Sequence, residues 1–86
     1  MKFNQILVPV SVEKQIDRLP KNVREKFCWC LEMLQDNPRH PSLRNWRIEG
    51  SQTDWEFSIT MNYRCIYRLE KGDLVLKNVG KHEDVF

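Results

Sequence analysis

Three consecutive strand patterns near the end of the chain constrain the fold more than any other feature. Apolar and polar residues alternate strictly from Trp55 to Met61, which predicts a strand with one buried and one polar face. Residues 63–70 and 73–79 continue as two more strands, and Lys71-Gly72 between them predicts a tight hairpin turn. We therefore expect the last third of the chain to form an antiparallel meander.

Two amphipathic helix patterns precede this meander. Ser11 is a suitable N-cap for a first helix, in which apolar residues recur at helical spacing over residues 12–19. A longer apolar stripe predicts a second helix over residues 22–36, beginning with a capping box at Asn22. Pro38 ends this helix, because the residue before a proline is pushed out of the helical conformation.

Two shorter strand patterns, residues 3–8 and 44–49, complete the predicted elements. The element order predicts an α+β fold, with two N-terminal helices packed on one face of a small, twisted sheet. We expect this sheet to be mainly antiparallel, with about four to five strands. A length of 86 residues, of which 41% are apolar, predicts a single domain over residues 1–86 with one core.

Composition excludes some classes of function and decides little between the others. The net charge of +2, from 14 basic and 12 acidic residues, permits nucleic-acid binding without requiring it. Cys28, Cys30 and Cys65 complete no zinc pattern, so we expect reduced thiols, no metal and no cofactor. The sequence has no apolar run of membrane-spanning length and no secretory leader, so we expect a cytoplasmic protein without a membrane partner.

Arg64 and His82 are the residues best suited to chemistry. Arg64 lies inside a predicted strand, where a charge is costly unless a partner or a function needs it. Its planar guanidinium can grip phosphate oxygens, and an ion pair with Glu56 is the structural alternative. His82 can transfer protons near neutral pH, but a histidine between Lys81 and Glu83 can equally be a solvated surface residue.

Several segments, taken together and in order, resemble the RelE/ParE superfamily of bacterial and archaeal type II toxins. The resemblance covers nearly the whole chain, and the ending Gly-x-His-x-x-Val-Phe is most similar to the RelE and YafQ-like branch. The segments that carry the resemblance are residues 37–43, residues 55–56 with 59–64, and residues 79–86.

This resemblance implies an endoribonuclease that cuts messenger RNA, usually inside a translating ribosome, and a cognate antitoxin that neutralises it by wrapping around it. Tyr63-Arg64 falls on the family's Tyr-Arg pair, whose arginine contacts the scissile phosphate. His82 stands where RelE has an arginine and YafQ-like proteins have a catalytic histidine. Phe86 falls on the family's terminal aromatic residue and could stack on a base, or it could fold back onto the core.

The chain also departs from the family pattern. Glu56 and Ser58 stand where RelE has two lysines, which leaves fewer groups for proton transfer. Two alternatives therefore stay open: a ParE-like toxin that inhibits DNA gyrase, or a degenerate toxin that acts only as an antitoxin-bound corepressor. In every case, we expect contact with operator DNA only through the antitoxin.

Further basic residues could form a rim that holds the RNA backbone. Arg68 is the best companion of Arg64, because alternation puts both side chains on one face of the sheet. For the antitoxin, Trp29 and Met33 lie beside the main stripe of the second helix and either pack against the first helix or form a docking ridge. The other rim candidates are Arg44, Arg47, Lys77 and Lys81.

Overall fold

The computed structural model describes residues 2–85. Across these residues a five-stranded sheet has the order β1-β5-β4-β3-β2. Strand β1 pairs parallel to β5, and all other pairs are antiparallel. The predicted α+β class and mainly antiparallel sheet are therefore confirmed. The elements are β1 Ile6–Leu7, α1 Val10–Asp17, α2 Lys21–Asp36, a 3-10 helix Pro41–Leu43, β2 Trp46–Arg47, β3 Asp54–Ser58, β4 Tyr63–Glu70, β5 Asp73–Lys81 and a one-turn helix α3 His82–Val85.

The core lies between the two long helices and one face of the sheet. Phe27 of α2 stacks on Phe57 of β3 with ring centroids 6.2 Å apart, and Tyr67 of β4 lies 6.0 Å from Phe57. Cys30 and Cys65 are also fully buried, and burial raises the pKa of the Cys30 thiol to about 11. The cysteines are free, as predicted.

Both long helices begin earlier than predicted, α1 by two residues and α2 by one. Helix α1 starts at Val10 after Pro9, and α2 starts at Lys21 after Pro20, with no side-chain cap at either start. Ser11 and Asn22 are therefore not N-caps, and those two predictions are wrong. A proline fits this place because its fixed φ suits the entry to a helix and its carbonyl still accepts the first hydrogen bonds.

The hairpin between β4 and β5 has the predicted tight turn. Lys71 and Gly72 both have positive φ, 51° and 83°, as a type I′ turn requires. The pairing then shifts by one residue at a bulge, where Ile66 pairs with Asn78 and Tyr67 pairs with Leu76. The bulge keeps Val79 in the core, opposite Cys65.

Three predicted strands are shorter in the structure. Residues 3–8 and 44–49 each form only a two-residue strand. Strand β3 ends at Ser58, and the chain turns sharply before Tyr63. Met61 lies in this turn and is 80% exposed, so its predicted place on the buried face is wrong.

The second helix does not present a fully exposed ridge. Trp29 and Met33 are half-buried and pack against the core. Lys26 covers part of the indole of Trp29, with its Nζ 3.8 Å from the ring centroid. The ring of His40 approaches the same indole edge-on, at 5.3 Å. No helix within residues 2–85 is long and apolar enough to cross a membrane.

Candidate active site

The register between β4 and β5 brings the predicted catalytic groups to one end of the sheet. Arg64 lies opposite Gly80, and Tyr63 lies opposite Lys81, the last residue of β5. His82 follows directly as the first residue of α3. An open groove of about 500 Å³ lies here and is called the Arg64 groove. It is lined by Arg64, Tyr63, Lys81, His82, Met61, Asn62 and Glu83.

Arg64 is held by carbonyl groups. Its Nη1 donates hydrogen bonds to the carbonyls of Thr60 at 2.6 Å, Met61 at 2.7 Å and Tyr63 at 3.2 Å. Within residues 2–85 no hydrogen bond uses its Nε or Nη2, and no carboxylate pairs with it. The alternative ion pair with Glu56 is therefore not formed, and none of these residues forms an ion pair that would cancel the charge of Arg64.

The turn that holds Arg64 also holds His82. The backbone N–H of His82 donates to the carbonyl of Asn62 at 2.8 Å. The N–H of Asn62 in turn donates to the side chain of Thr60 at 3.3 Å. The guanidinium of Arg64 and the backbone of His82 are thus bonded to one short, internally bonded segment, which fixes the relative position of the two residues better than separate loops would.

Arg68 shares the open face of the sheet with Arg64 but has a different partner. Its Nε lies 3.1 Å from Oδ1 of Asp54 on β3. Partial burial raises the pKa of Asp54, but hydrogen bonds from Arg68 and Thr53 and the charge of Lys77 outweigh it and lower that pKa. Arg68 is therefore largely neutralised, and its role in RNA binding stays a prediction.

The remaining rim candidates lie in different places. Lys81 lines the Arg64 groove. Arg44, which adopts the left-handed conformation with φ 47° and ψ 53°, lines a neighbouring groove of about 510 Å³, the Arg44 groove. Register places Arg47 opposite Trp55, on the helix-covered side, so the fold gives no support to its predicted role. Phe86 lies outside the described residues, and its role stays a prediction.

Two residues that the sequence did not single out also belong to this region. Lys26 of α2 lines the Arg44 groove, although its position in a helix gave no sign of this. Met61 lines both grooves and lies where they adjoin. Its polar neighbours Thr60 and Asn62 are residues that favour turns, and this signal could have revealed its exposure. Within residues 2–85 no cluster of three or more His, Cys, Asp or Glu residues is placed to hold a metal ion.

Solved structures of toxins share this fold. A chain of the E. coli DinJ–YafQ toxin–antitoxin complex gives a TM-score of 0.80 at 16% identity, covering 100% of this chain and 99% of that chain. A mutant of the E. coli toxin RelE in the free state gives 0.75 at 20% identity, covering 98% and 87%. A chain of the RelB–RelE antitoxin–toxin complex from Methanococcus jannaschii gives 0.74 at 15% identity, covering 92% and 93%.

These similarities lie in the fold rather than in the sequence. The sequence matches no protein-family model and no curated protein. The backbone, in contrast, follows the RelE and YafQ toxins over nearly its whole length. The chain therefore has the fold of the RelE/ParE toxin superfamily, and the resemblance inferred from its motifs is confirmed at that level.

Proposed function

We propose that the chain, as one domain, is the toxin of a type II toxin–antitoxin pair and an endoribonuclease that cleaves messenger RNA. The observation that carries this proposal is the Arg64 groove, where an uncompensated guanidinium shares one cavity with Lys81 and His82. Such a groove attracts a phosphodiester and offers a group that can donate a proton. The toxin fold of its structural neighbours supports the same class of function.

Cleavage in this groove uses the 2′-hydroxyl of the RNA as the nucleophile, so the mechanism is independent of metal. A bond forms from the 2′ oxygen to phosphorus while the bond from phosphorus to the 5′ oxygen breaks. The products are a 2′,3′-cyclic phosphate and a 5′-hydroxyl. The enzyme must therefore accept one proton, donate another and stabilise the negative charge between these two events.

Three side chains in the groove match these three tasks. The guanidinium of Arg64 stabilises the charge of the pentavalent phosphorane through its Nε and Nη2 donors. The imidazolium of His82 protonates the 5′ oxygen as it leaves. The carboxylate of Glu83, which lines the same groove, accepts the proton of the 2′-hydroxyl. Lys81 contributes a further positive charge that attracts the RNA backbone.

The partner proposed for the chain is a cognate antitoxin. The solved structures of DinJ with YafQ and of RelB with RelE are toxin–antitoxin complexes. In this chain three exposed apolar residues cluster near the edge strand β1, where Leu7 and Val8 are each 41% exposed and Val10 is 69% exposed. An unpaired strand edge beside apolar side chains suits a partner that adds a strand, so we place the antitoxin there.

One experiment in vitro tests the nuclease directly. Purified chain is incubated with RNA in the presence of a chelator, and the new ends are mapped. We expect cyclic phosphate ends, and no cut where the mapped nucleotide is replaced by its 2′-deoxy form. Cleavage that survives this replacement would contradict 2′-hydroxyl attack.

A second experiment separates the alternatives in cells, where we propose that the toxin acts in the cytoplasm and on translating ribosomes. The chain is expressed without a partner while translation, mRNA 5′ ends and DNA supercoiling are followed. Early arrest of translation with new mRNA ends supports cleavage. Altered supercoiling with intact mRNA would indicate gyrase inhibition, and absence of both effects would indicate a corepressor.

A further inference from the structure

Trp46 on the edge strand β2 is both exposed and held in place. Trp46 is 55% exposed, and its indole Nε1 donates a hydrogen bond to Oε1 of Glu56 at 3.0 Å. The other oxygen, Oε2, is buried, and no group within residues 2–85 hydrogen-bonds to it. An unpaired buried carboxylate oxygen and an exposed indole are both unfavourable, so stability does not explain this arrangement.

The surroundings of Trp46 are basic. With Arg39, His40 and Arg44 it lines a groove of about 270 Å³, called here the Trp46 groove. None of the residues that line this groove is acidic. Arg44 is in the left-handed conformation, which is rare for a residue with a long side chain and is often retained where function requires it.

The three grooves are joined by shared residues. Arg44 lines both the Trp46 groove and the Arg44 groove, and Met61 lines both the Arg44 groove and the Arg64 groove. Together they form a continuous track from Trp46 to His82. Glu83, at the far end, is the only acidic residue among those that line it. The basic side chains along the track are Arg39, Arg44, Lys26, Arg64 and Lys81.

We propose that Trp46 is the stacking platform of a distal nucleotide subsite for single-stranded RNA. The inference rests on the proposed function: RNA cut in the Arg64 groove continues along the track, and one of its bases stacks on the indole. Arg39 and Arg44 bind the adjoining phosphates, and Glu56 positions the ring. A base must be unpaired to stack in this way, so the subsite selects single strands.

The charge pattern favours RNA over a protein segment as the occupant. Positive side chains spaced along a groove, with an aromatic ring at one end, are the usual construction of a single-strand site. An indole stacks on any base, so the subsite adds affinity without adding sequence preference. Its contribution should appear only with substrates long enough to reach from the Arg64 groove to Trp46.

The test compares two uncleavable 2′-O-methyl RNAs, a trinucleotide and a nonanucleotide, by fluorescence anisotropy. We expect Trp46→Ala to lower the affinity for the longer RNA by about 5- to 150-fold, the usual effect of losing one stacked base. The trinucleotide should bind unchanged, and Trp46→Phe should keep most of the affinity for the longer RNA. Leu69→Ala, which also removes an exposed apolar side chain but lies near the opposite end of β4 from Arg64, is the matched control.

The outcomes separate the subsite from the nuclease. Equal affinity of wild type and Trp46→Ala for the longer RNA would overturn the subsite and leave the nuclease standing. Length-dependent loss in Trp46→Ala, together with an inability of the wild type to cut unmodified RNA, would keep the subsite and remove the nuclease. If the wild type binds neither RNA, both proposals fall, and loss of antitoxin binding in Trp46→Ala would then identify the surface as a protein interface.

Discussion

The two ends of strand β4 show how the same residue type acquires different roles. Arg64 and Arg68 lie on the same strand and the same face, four residues apart. Arg68 is paired with the Asp54 carboxylate at 3.1 Å, whereas Arg64 is held at 2.6–3.2 Å by three carbonyl groups. A carboxylate cancels a positive charge, but carbonyl dipoles orient it and leave it available. The type of partner thus leaves an available positive charge only at the Arg64 end of the strand, which is the end that we propose to be reactive.

The strongest test of this difference is His82. We expect His82→Ala to lower the cleavage rate by about 10²–10⁴-fold, the usual contribution of a general acid or base. His82→Gln should fail similarly, because an amide can bond to the leaving oxygen but cannot protonate it. Full activity in both variants would remove His82 from the mechanism.

His82→Arg sharpens the same test. If His82 only stabilises charge, arginine should restore activity. If it donates the proton, arginine should restore little, because a guanidinium stays protonated. We expect poor rescue.

Arg64→Ala is the next largest expected effect. Loss of one preorganised donor to the phosphorane should lower the cleavage rate by about 10²–10³-fold, or 2.7–4 kcal/mol. Arg68→Ala at the other end of the strand is the matched control, and we expect it to change the rate only slightly. Thermal melts should show that both variants fold. Equal losses in the two variants would contradict the distinction between the two ends.

Glu83→Gln, set against Asp84→Asn, applies the same kind of test to carboxylates instead of arginines. At the Arg64 end we expect a carboxylate to take part in chemistry, so this variant should lose about 10²-fold in rate. Asp84→Asn is the matched control, since Asp84 lines a different groove beside Arg18 and Leu19. An unchanged rate in Glu83→Gln would mean that water or another group accepts the 2′ proton.

Asp54→Asn should have the smallest effect, and mainly on stability. Breaking this partly exposed ion pair should lower the free energy of unfolding by about 0.2–1 kcal/mol. The pKa of Asp54 is lowered in the folded state, so the stabilisation is fully present above its unfolded pKa and is lost as pH falls through its folded pKa. Denaturant titrations of both proteins should therefore differ at neutral pH and converge in acid.

Asp54→Asn also tests whether the ion pair with Asp54 is what keeps Arg68 from contacting RNA. Once released, Arg68 could contact a phosphate, and the plot of log affinity for single-stranded RNA against log salt should steepen by about 0.7. An unchanged slope, with normal folding, would show that Arg68 lies outside the path of the RNA.

The sequence predicted the presence of all five strands and the bounds of β4 and β5 closely, because burial of one face imposes a period of two that can be read directly. The prediction failed where the local sequence suits two different starts of a helix or two different ends of a strand. Ser11 and Asn22 are good N-caps, yet Pro9 and Pro20 start the helices. The alternation through Met61 fits a longer strand, yet hydrogen bonds from Arg64 fold that segment into a turn.

The candidate site was only partly predictable for a related reason. Arg64 and His82 could be chosen by their chemistry, but their proximity depends on the register of the last hairpin. Counting from the turn alone pairs Arg64 with Val79, and only the bulge between Ile66 and Tyr67 moves Gly80 opposite Arg64. No pattern in the sequence predicts that bulge. The Arg68–Asp54 pair, likewise, is visible only once the strands are aligned.

The parallel pairing of β1 with β5 also sets the order in which the molecule can assemble. Ile6 pairs with Leu74, so the first strand must wait for almost the entire polypeptide before it finds its neighbour. Pairings so distant along the chain form late, because the entropy cost of closing the long loop comes before the pairing contributes any stabilisation. The Arg64 groove requires residue 82 as well. Under the proposed function, a nascent chain therefore has no complete groove with which to cut RNA before residue 82 has been made.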